Sequence, residues 1–237
     1  MIAYITGTSS GIGKALALKF LKEGHKVFGL SRTCTIEQSN YTHIKLDLSN
    51  LKSVTEFDFL TNTKDDVVLI NNAGIIGPIK PIGSHISAEI IEINNVNVTA
   101  PQILINKFIH KFQTLNNNYQ VLNISSGAGK RPIDAWATYC ASKSAIDLFS
   151  ETISQELKAR NHNNWNVFSI APGVVDTKMQ TAIRSSNPND FLNYNKFVSL
   201  KLNNELAASG SVADIIYGVL KNPNNHKSVV FSVRDLT

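Results

Sequence analysis

Residues 3–20, AYITGTSSGIGKALALKF, join a short apolar stretch to a glycine-rich turn and then to a segment whose apolar residues recur at helical spacing. We expect a buried strand, a turn containing Gly7, Gly11 and Gly13, and a helix that begins near Ile12. Glycines let the backbone approach a pyrophosphate closely, and a helix N-terminus offers free N–H groups and a partial positive charge. The spacing TGxxxGxG differs from GxGxxG, so we do not assign that fingerprint; the turn by itself predicts only a dinucleotide-binding fold.

The rest of the chain repeats this alternation of apolar strands and periodic helices. Regular alternation predicts an α/β protein with a parallel sheet, right-handed crossovers and helices on both faces. We expect one domain over residues 1–237, since no linker or repeat interrupts the pattern. The predicted strands lie near residues 2–6, 26–31, 43–46, 66–71, 119–125, 165–171 and 228–233.

Residues 125–143, SSGAGKRPIDAWATYCASK, contain the groups that a proton-transfer site needs. Tyr139 and Lys143 share one face of a predicted helix, and a nearby ammonium favours the ionised phenol, so we expect a lowered pKa at Tyr139. Ser126 follows an apolar run ending at Ile124 and would hold a carbonyl oxygen beside the phenol. Taken alone, the Tyr–Lys pair also fits a surface helix with a half-buried tyrosine.

Three further stretches carry polar or small residues where a ligand would lie. A buried strand in DDVVLINNAG ends in the small residues Ala73 and Gly74, which would sit against a cofactor or only form a tight turn. Asn97 lies inside a long helical pattern, where asparagine is unfavourable unless its amide is used or the surface tolerates it. In VFSIAPGVVDTKM, a strand runs into Pro172 and Gly173, and ligands bind at such strand ends in α/β sheets.

In this order and spacing, the motifs resemble the classical short-chain dehydrogenases/reductases over essentially the whole chain. The matching motifs are TGxxxGxG at 6–13, NNAG at 71–74, the catalytic Asn97 and Ser126, YxxxK at 139–143 and PGxxxT at 172–177. The resemblance implies a doubly wound Rossmann-type domain with a seven-stranded sheet. It also implies an oxidoreductase that acts on a CH–OH or C=O group.

The resemblance implies NADP(H) as the cofactor. NAD-dependent relatives carry an acid at the end of the second strand, whereas this chain has Ser31 followed by Arg32, and a guanidinium suits a 2′-phosphate. Ser10 departs from the many NADP-using relatives that place a second basic residue there, and Arg32 also fits a plain surface residue. Asp47 resembles the acid beside the adenine. The implied cofactor-binding residues are Gly7, Ser9, Ser10, Gly11, Ile12, Gly13, Ser31, Arg32, Asp47, Leu48, Asn72, Ala73, Gly74, Tyr139, Lys143, Pro172, Gly173, Val175 and Thr177.

The resemblance also implies a role for each catalytic residue. Tyr139 would give its proton to the developing alkoxide, and Lys143 would bind the nicotinamide ribose and favour tyrosinate. Ser126 would hold the carbonyl oxygen, Asn97 would position a water linked to Lys143, and Thr177 would hold the carboxamide.

Three stretches, at 70–83, 136–143 and 171–186, resemble the sepiapterin reductase-like branch, and most of all its bacterial diketone reductases, which reduce benzil to (S)-benzoin. Pterin-reducing members place an Asp near the C-terminus, where this chain has Ser232, with Asp235 nearest. We therefore expect an NADPH-dependent diketone reductase. Pterin reduction, 3-oxoacyl reduction (with Lys130, Arg131, Lys178 and Arg184 as a basic patch) and non-catalytic NADP(H) sensing are the alternatives.

Composition argues against several other classes. Lys and Arg are scattered despite the net charge of +5, so we expect no nucleic-acid partner. Cys34 and Cys140 form no CxxC and there is no His cluster, so we expect neither a disulfide framework nor a metal site, and we ascribe Cys140 to packing. With a strand beginning at Ile2 and no long apolar stretch, we expect neither signal peptide nor membrane span, and a cytoplasmic location.

Two regions bear on substrate and assembly. Residues 178–206, after the sixth strand, are polar with scattered apolar positions, so they would form a lid over the substrate or an ordinary surface helix pair. Trp136 would line the pocket or pack in the core. The long helices near 88–115 and 137–160 carry a second apolar or small-residue face, and the family pairs through such helices, so we expect a homodimer or homotetramer.

Overall fold

The structure, a computed structural model, describes residues 1–60 and 65–236. Its centre is a parallel β-sheet. Within these residues it has seven strands in the order β3-β2-β1-β4-β5-β6-β7. The strand order reverses between β1 and β4, and open α/β sheets bind ligands at such a point. The strands are β1 (Ile2–Thr6), β2 (Lys26–Ser31), β3 (Tyr41–Lys45), β4 (Val67–Asn71), β5 (Tyr119–Ile124), β6 (Trp165–Ala171) and β7 (Val230–Ser232).

Helices cover both faces of the sheet. They are α1 (Gly11–Lys22), α2 (Leu51–Glu56), α3 (Ser87–Asn94), α4 (Ala100–Phe112), α5 (Ala137–Ala159), α6 (Lys178–Arg184), α7 (Tyr194–Leu202) and α8 (Ser209–Lys221). The core on one face packs α1 and α8 against the strands, and the core on the other face packs α2, α4 and α5.

Alternate residues of the interior strand β1 contribute to the two cores. In β1, Ile2 and Tyr4 join the core under α4 and α5, whereas Ala3 and Ile5 join the core under α1 and α8. Both faces are therefore buried, which explains why the strand is apolar throughout instead of alternating.

The predicted doubly wound α/β fold is confirmed, with all seven strands close to their expected places. The third strand covers 41–45 and the seventh covers 230–232, which are shifts of a few residues. One feature was not predicted: the long helix at 88–115 contains a π-helical segment, Asn95–Thr99, between α3 and α4. Such segments occur often at functional sites, and this one carries Asn97.

Candidate active site

The glycine turn between β1 and α1 has the backbone shape that a dinucleotide phosphate needs. Gly7 (φ +73°) and Gly11 (φ +58°) lie in the left-handed region of backbone conformation, which residues other than glycine rarely adopt. The N-terminus of α1 receives no side-chain cap from Ser10 and has no acidic residue in its first turn. Its free N–H groups therefore remain available for an anion, as an oxidoreductase cofactor would require.

Gly13 was predicted from the sequence to bind the cofactor, but in the structure it has a packing role. A Cβ atom at Gly13 would lie 2.2 Å from Asn72 Nδ2 and 2.4 Å from the Gly7 carbonyl oxygen. Gly13 does not line the cavity described below, unlike the other glycines of the turn. The absence of a side chain here lets α1 approach the end of β4.

Asn72 braces this turn from the neighbouring strand. Its amide nitrogen donates to the carbonyl oxygens of Thr6 (2.9 Å) and Gly7 (3.4 Å). The Thr6 hydroxyl in turn accepts from the backbone N–H groups of Asn72 and Ala73, each at 3.0 Å. The NNAG motif thus fixes the ends of β1 and β4 to each other.

At the end of β2, a serine and an arginine face the region where the cofactor's ribose is expected. The buried Ser31 hydroxyl donates to the Thr33 carbonyl at 2.9 Å, so it is engaged within the protein. Arg32 is exposed, lines the cavity, and forms no ion pair within residues 1–60 and 65–236. Partial burial tends to raise the pKa of Asp47, but hydrogen bonds from Ser49 and the charge of Arg32 outweigh it and lower that pKa.

A cavity of about 550 Å³ runs along the carboxyl ends of the central strands. It brings together nearly every residue that the sequence predicts to be functional, from the glycine turn to the start of α5. Among the predicted catalytic and cofactor-binding residues, Gly13 and Asn97 are the two exceptions. The predicted residues on its wall are Gly7, Ser9, Ser10, Gly11, Ile12, Ser31, Arg32, Asp47, Leu48, Asn72, Ala73, Gly74, Ser126, Tyr139, Lys143, Pro172, Gly173, Val175 and Thr177.

Tyr139 and Lys143 share one face of α5, as predicted. That face is buried, so the alternative of a surface helix with a half-buried tyrosine is wrong. Lys143 Nζ is 5.7 Å from the centre of the Tyr139 ring and donates to the Ile124 carbonyl at 2.8 Å. This bond ties the lysine to the end of β5 and fixes its ammonium beside the ring. Burial lowers the pKa of Lys143 to about 8 against the raising effect of Asp147.

The expected lowering of the Tyr139 pKa is wrong for this structure. Burial raises the pKa of the phenol to about 12, because an ion is poorly solvated there, and the nearby Ser126 hydroxyl lowers it only in part. The phenol hydroxyl is 4.0 Å from Met179 Sδ, a weak acceptor on α6. At neutral pH the phenol is therefore protonated, which suits a proton donor.

Ser126 begins a short 3₁₀ turn, Gly127–Gly129, immediately after β5. Its hydroxyl oxygen accepts from the backbone N–H of Ala128 at 3.1 Å. The turn holds this hydroxyl at the cavity wall beside Tyr139, where it can still donate a hydrogen bond to a carbonyl oxygen.

The Asn97 side chain is used, but within the protein. Its amide accepts from the Ile75 backbone N–H at 2.9 Å, and donates to the Ile75 carbonyl at 2.8 Å and to the Ser142 hydroxyl at 3.1 Å. Gly74 separates it from Lys143: a Cβ there would be 3.4 Å from Asn97 Oδ1 and 3.5 Å from Lys143 Nζ. The amide therefore clamps the wall next to Lys143, and a water held by that amide stays a prediction.

Sequence reasoning missed three groups at this site. Ser142 links Asn97 to the Tyr139 carbonyl (2.7 Å), and Ile124 supplies the carbonyl that binds Lys143. Neither has a signal in sequence, because each depends on segments that meet only in the fold. Asp147, buried one turn after Lys143, did have one: the spacing of eight residues from Tyr139 puts it on the same helix face.

Aromatic and apolar side chains surround the other end of the cavity. Trp136 lies edge-on to Tyr139, with ring centres 5.7 Å apart, and stacks on Phe191 at 5.5 Å. Phe197 of α7 lies 5.2 Å from Trp136. Trp136 both lines the cavity and packs in this cluster, so each of the two predicted roles holds in part.

The predicted lid segment forms α6 and α7, which cover this end. Met179 and Phe197 line the cavity, so these helices are more than a surface pair. Asp134, in the loop before α5, accepts from the Leu192 N–H and from the Asn193 side chain, both at 2.7 Å. The start of α7 is thereby tied to the loop that precedes α5, and the opening and closing of the segment stays a prediction.

Comparison with known proteins agrees with this geometry. The short chain dehydrogenase family matches residues 1–188. The chain belongs to that family. As a short-chain dehydrogenase it is an oxidoreductase of a family that uses NAD(P)(H), which fits the glycine turn, the free N-terminus of α1 and the buried Tyr139.

Two relatives of this short-chain dehydrogenase are benzil reductases ((S)-benzoin forming). The enzyme of Bacillus subtilis is 36% identical over 224 residues, and that of Bacillus cereus is 36% identical over 231 residues; each alignment covers 92% of both chains. Among solved structures, a short-chain dehydrogenase/reductase from Saccharomyces cerevisiae is 23% identical with a TM-score of 0.82, covering 98% of this chain and 95% of its own.

Two features are absent from the described residues, 1–60 and 65–236. No group of three or more His, Cys, Asp and Glu side chains is arranged to hold a metal ion. None of the helices there has the length and apolar character needed to cross a membrane.

Proposed function

We propose that this short-chain dehydrogenase is an NADPH-dependent carbonyl reductase that acts on diketones such as benzil and forms (S)-benzoin, with Tyr139 as the proton donor. The observation that carries the proposal is a buried, protonated phenol on the wall of a cavity that the glycine turn lines at one end. At the other end the cavity is lined by apolar and aromatic side chains that include Ile76, Trp136 and Phe197, and we call this end the substrate chamber. The similarity to two benzil reductases along 92% of the chain supports the same conclusion.

The cofactor-side residues fit a dinucleotide. Backbone N–H groups of the glycine turn and of α1 would hold the pyrophosphate, and Thr177, at the start of α6, would hold the carboxamide. Arg32 would pair with a 2′-phosphate, because its guanidinium is exposed on the cavity wall and has no ion-pair partner in the described chain. When bound, the reduced dinucleotide supplies the hydride.

The chain's own residues supply the proton and the orientation. Ser126 would donate a hydrogen bond to the substrate carbonyl oxygen and bring it to Tyr139, which holds its proton because burial disfavours the phenolate. The Lys143 ammonium, fixed by the Ile124 carbonyl, would stabilise negative charge as the phenol gives up its proton. Trp136 and the helices α6 and α7 would exclude water from the reacting carbonyl.

The chamber favours a flat, apolar substrate over a pterin. Its wall includes the apolar Ile76, Trp136 and Ile183. A pterin-holding acid is missing: Ser232 lines the cavity, while Asp235 accepts from the Ser232 backbone N–H at 2.7 Å and does not line it. Buried polar atoms of a pterin would thus lack the carboxylate that pterin-reducing relatives place at this position, which lowers its affinity.

One observation favours a second candidate, reduction of a 3-oxoacyl thioester. Lys130, Arg131 and Lys178 line the cavity, are exposed, and form no ion pairs within the described ranges. Such a cationic rim suits the phosphate groups of a thioester carrier. Arg184, the fourth cation of the predicted patch, is absent from the cavity wall.

The deciding experiment measures oxidation of NADPH, with NADH in parallel, against benzil, an aliphatic diketone, sepiapterin and an acetoacetyl thioester. Turnover of benzil with NADPH to mainly (S)-benzoin, resolved by chiral chromatography, is the expected result. Preferred turnover of the thioester would support the second candidate. NADPH binding without turnover of any carbonyl would overturn both and favour a sensor.

Assembly and location are part of the same proposal. Ala137, Ala141 and Ala145 form an exposed small-residue face on α5, followed by the exposed Leu148. A second copy packing on this face would give a homodimer or homotetramer, which light scattering coupled to size exclusion distinguishes from a monomer. We propose a cytoplasmic location, which fractionation of cells would test.

A further inference from the structure

We propose that Asp147 is a positioning residue: from one turn along α5, its buried carboxylate keeps the Lys143 side chain an ammonium at the pH at which the enzyme works. The proposal rests on the proposed function, in which that ammonium assists Tyr139. Nothing in the mechanism above uses Asp147, although a carboxylate in the protein interior is costly unless other groups compensate it.

The helix sets the arrangement. Tyr139, Lys143 and Asp147 follow one another at intervals of four residues, and all three are at most 8% exposed. Side chains at this spacing lie one above the next on one face. The carboxylate therefore lies on the side of Lys143 away from the phenol.

One hydrogen bond and one closely packed turn hold the carboxylate in place. The Ser169 hydroxyl of β6 donates to Asp147 Oδ1 at 2.6 Å. On the other oxygen, a Cβ at Gly129 would lie 2.9 Å from Asp147 Oδ2 and 3.0 Å from the Lys143 carbonyl carbon. The turn that follows Ser126 thus packs directly on this part of α5 and leaves no room for a larger side chain.

The other groups around Lys143 are neutral. They are the Ile124 carbonyl from β5, the backbone of Gly74 and the Asn97 amide, together with the protonated phenol of Tyr139. No Lys, Arg or His in residues 1–60 and 65–236 lies within ion-pair distance of Asp147. This includes Lys143, so the carboxylate acts on the lysine through its charge across one helix turn and not through a direct ion pair. The negative charge of Asp147 is therefore left to act on Lys143, whose pKa it raises against the effect of burial.

The test follows the titration of Lys143 itself. Protein labelled with ¹³C-lysine is titrated by NMR, and the Lys143 Cε signal is assigned by its loss in Lys143→Met. In Asp147→Asn we expect the midpoint to fall by roughly half to one pH unit, because a buried negative charge one helix turn from Lys143 has been removed. Glu151→Gln is the matched control: it removes an exposed carboxylate one turn further along α5 and should leave the midpoint unchanged.

Kinetics provide a second readout. The high-pH limb of kcat/KM for benzil reduction should move toward lower pH by the same amount in Asp147→Asn, with little change in rate well below the limb. An unmoved Lys143 midpoint in a folded Asp147→Asn protein overturns the proposal. If that variant does not fold, Asp147→Ser is a smaller neutral replacement for the same measurement.

The two hypotheses fail separately. A shifted midpoint in a protein that reduces no carbonyl supports the role of Asp147 and contradicts the proposed function. Benzil turnover with an unshifted Lys143 midpoint supports the proposed function and contradicts the role of Asp147.

Discussion

The two ends of the cavity are lined by different kinds of protein groups. At the cofactor end the wall depends on backbone shape: it includes the left-handed Gly7 and Gly11, the first turn of α1 and the loops after β4 and β6. At the substrate end the wall is mostly side chains, such as Trp136, Met179 and Phe197, contributed by a loop and two short helices. A backbone site tolerates little change, whereas a side-chain site can be altered residue by residue.

Tyr139 lies where the two ends of the cavity meet. Its substitution should therefore have the largest effect on catalysis while leaving cofactor binding at the other end nearly unchanged. Tyr139→Phe should lower kcat by roughly 10²-fold or more, because the proton donor is lost. NADPH affinity, measured by fluorescence titration, should change little, since the phosphate-binding backbone is intact. Tyr217→Phe, on α8 and outside the cavity, is the control; retained activity in Tyr139→Phe would refute the assignment of the proton donor.

The intolerance of the glycine turn at the cofactor end is tested at Gly13, which packs behind the cavity wall. Gly13→Ala forces a Cβ against Asn72 and the Gly7 carbonyl, and we expect a loss of about 1–3 kcal/mol in the free energy of unfolding, as overpacking of a tight site produces. Denaturant unfolding measures it. Gly210→Ala in α8, where a Cβ meets nothing within 4 Å, should be neutral or slightly stabilising. Equal effects at the two glycines would contradict the packing role of Gly13.

Arg32 is the exception at the cofactor end, because there a side chain is expected to decide the ligand. Arg32→Gln should raise KM for NADPH about tenfold, the loss expected for a hydrogen bond to a charged group. KM for NADH should stay the same. Steady-state kinetics with both cofactors check this, and a parallel rise for NADH would mean that Arg32 is a surface residue.

The smallest effect is expected at the adaptable substrate end. Trp136→Phe keeps an aromatic ring beside Phe191, and the indole N–H that it removes has no hydrogen-bond partner among the described residues. We expect KM for benzil to rise only about threefold, the lower part of the range for small changes in an apolar pocket, while kcat is nearly unchanged. A loss as large as that of Tyr139→Phe would show that the indole is required for the chemistry.

The difference between the two ends also explains which parts of the site were predictable. The glycine turn, the NNAG motif and the Tyr–Lys pair depend on local backbone shape or on helix periodicity, so residues within a few positions of each other carry the signal. The substrate chamber depends on which side chains of residues 178–206 reach the cavity. Their apolar positions were visible, but their partners, such as Trp136, lie far away in the chain.

By itself, the sequence determined the α/β fold with its parallel sheet, the seven strands to within a few residues, and the shared face of Tyr139 and Lys143 on α5. These follow from local periodicity and turn chemistry. Only the tertiary structure decided that Gly13 packs on Asn72 and that burial raises the pKa of Tyr139. It also placed the Asp147 carboxylate where it accepts a hydrogen bond from the Ser169 hydroxyl of β6. Desolvation and contacts between distant segments exist only once the chain has folded, so no local pattern records them.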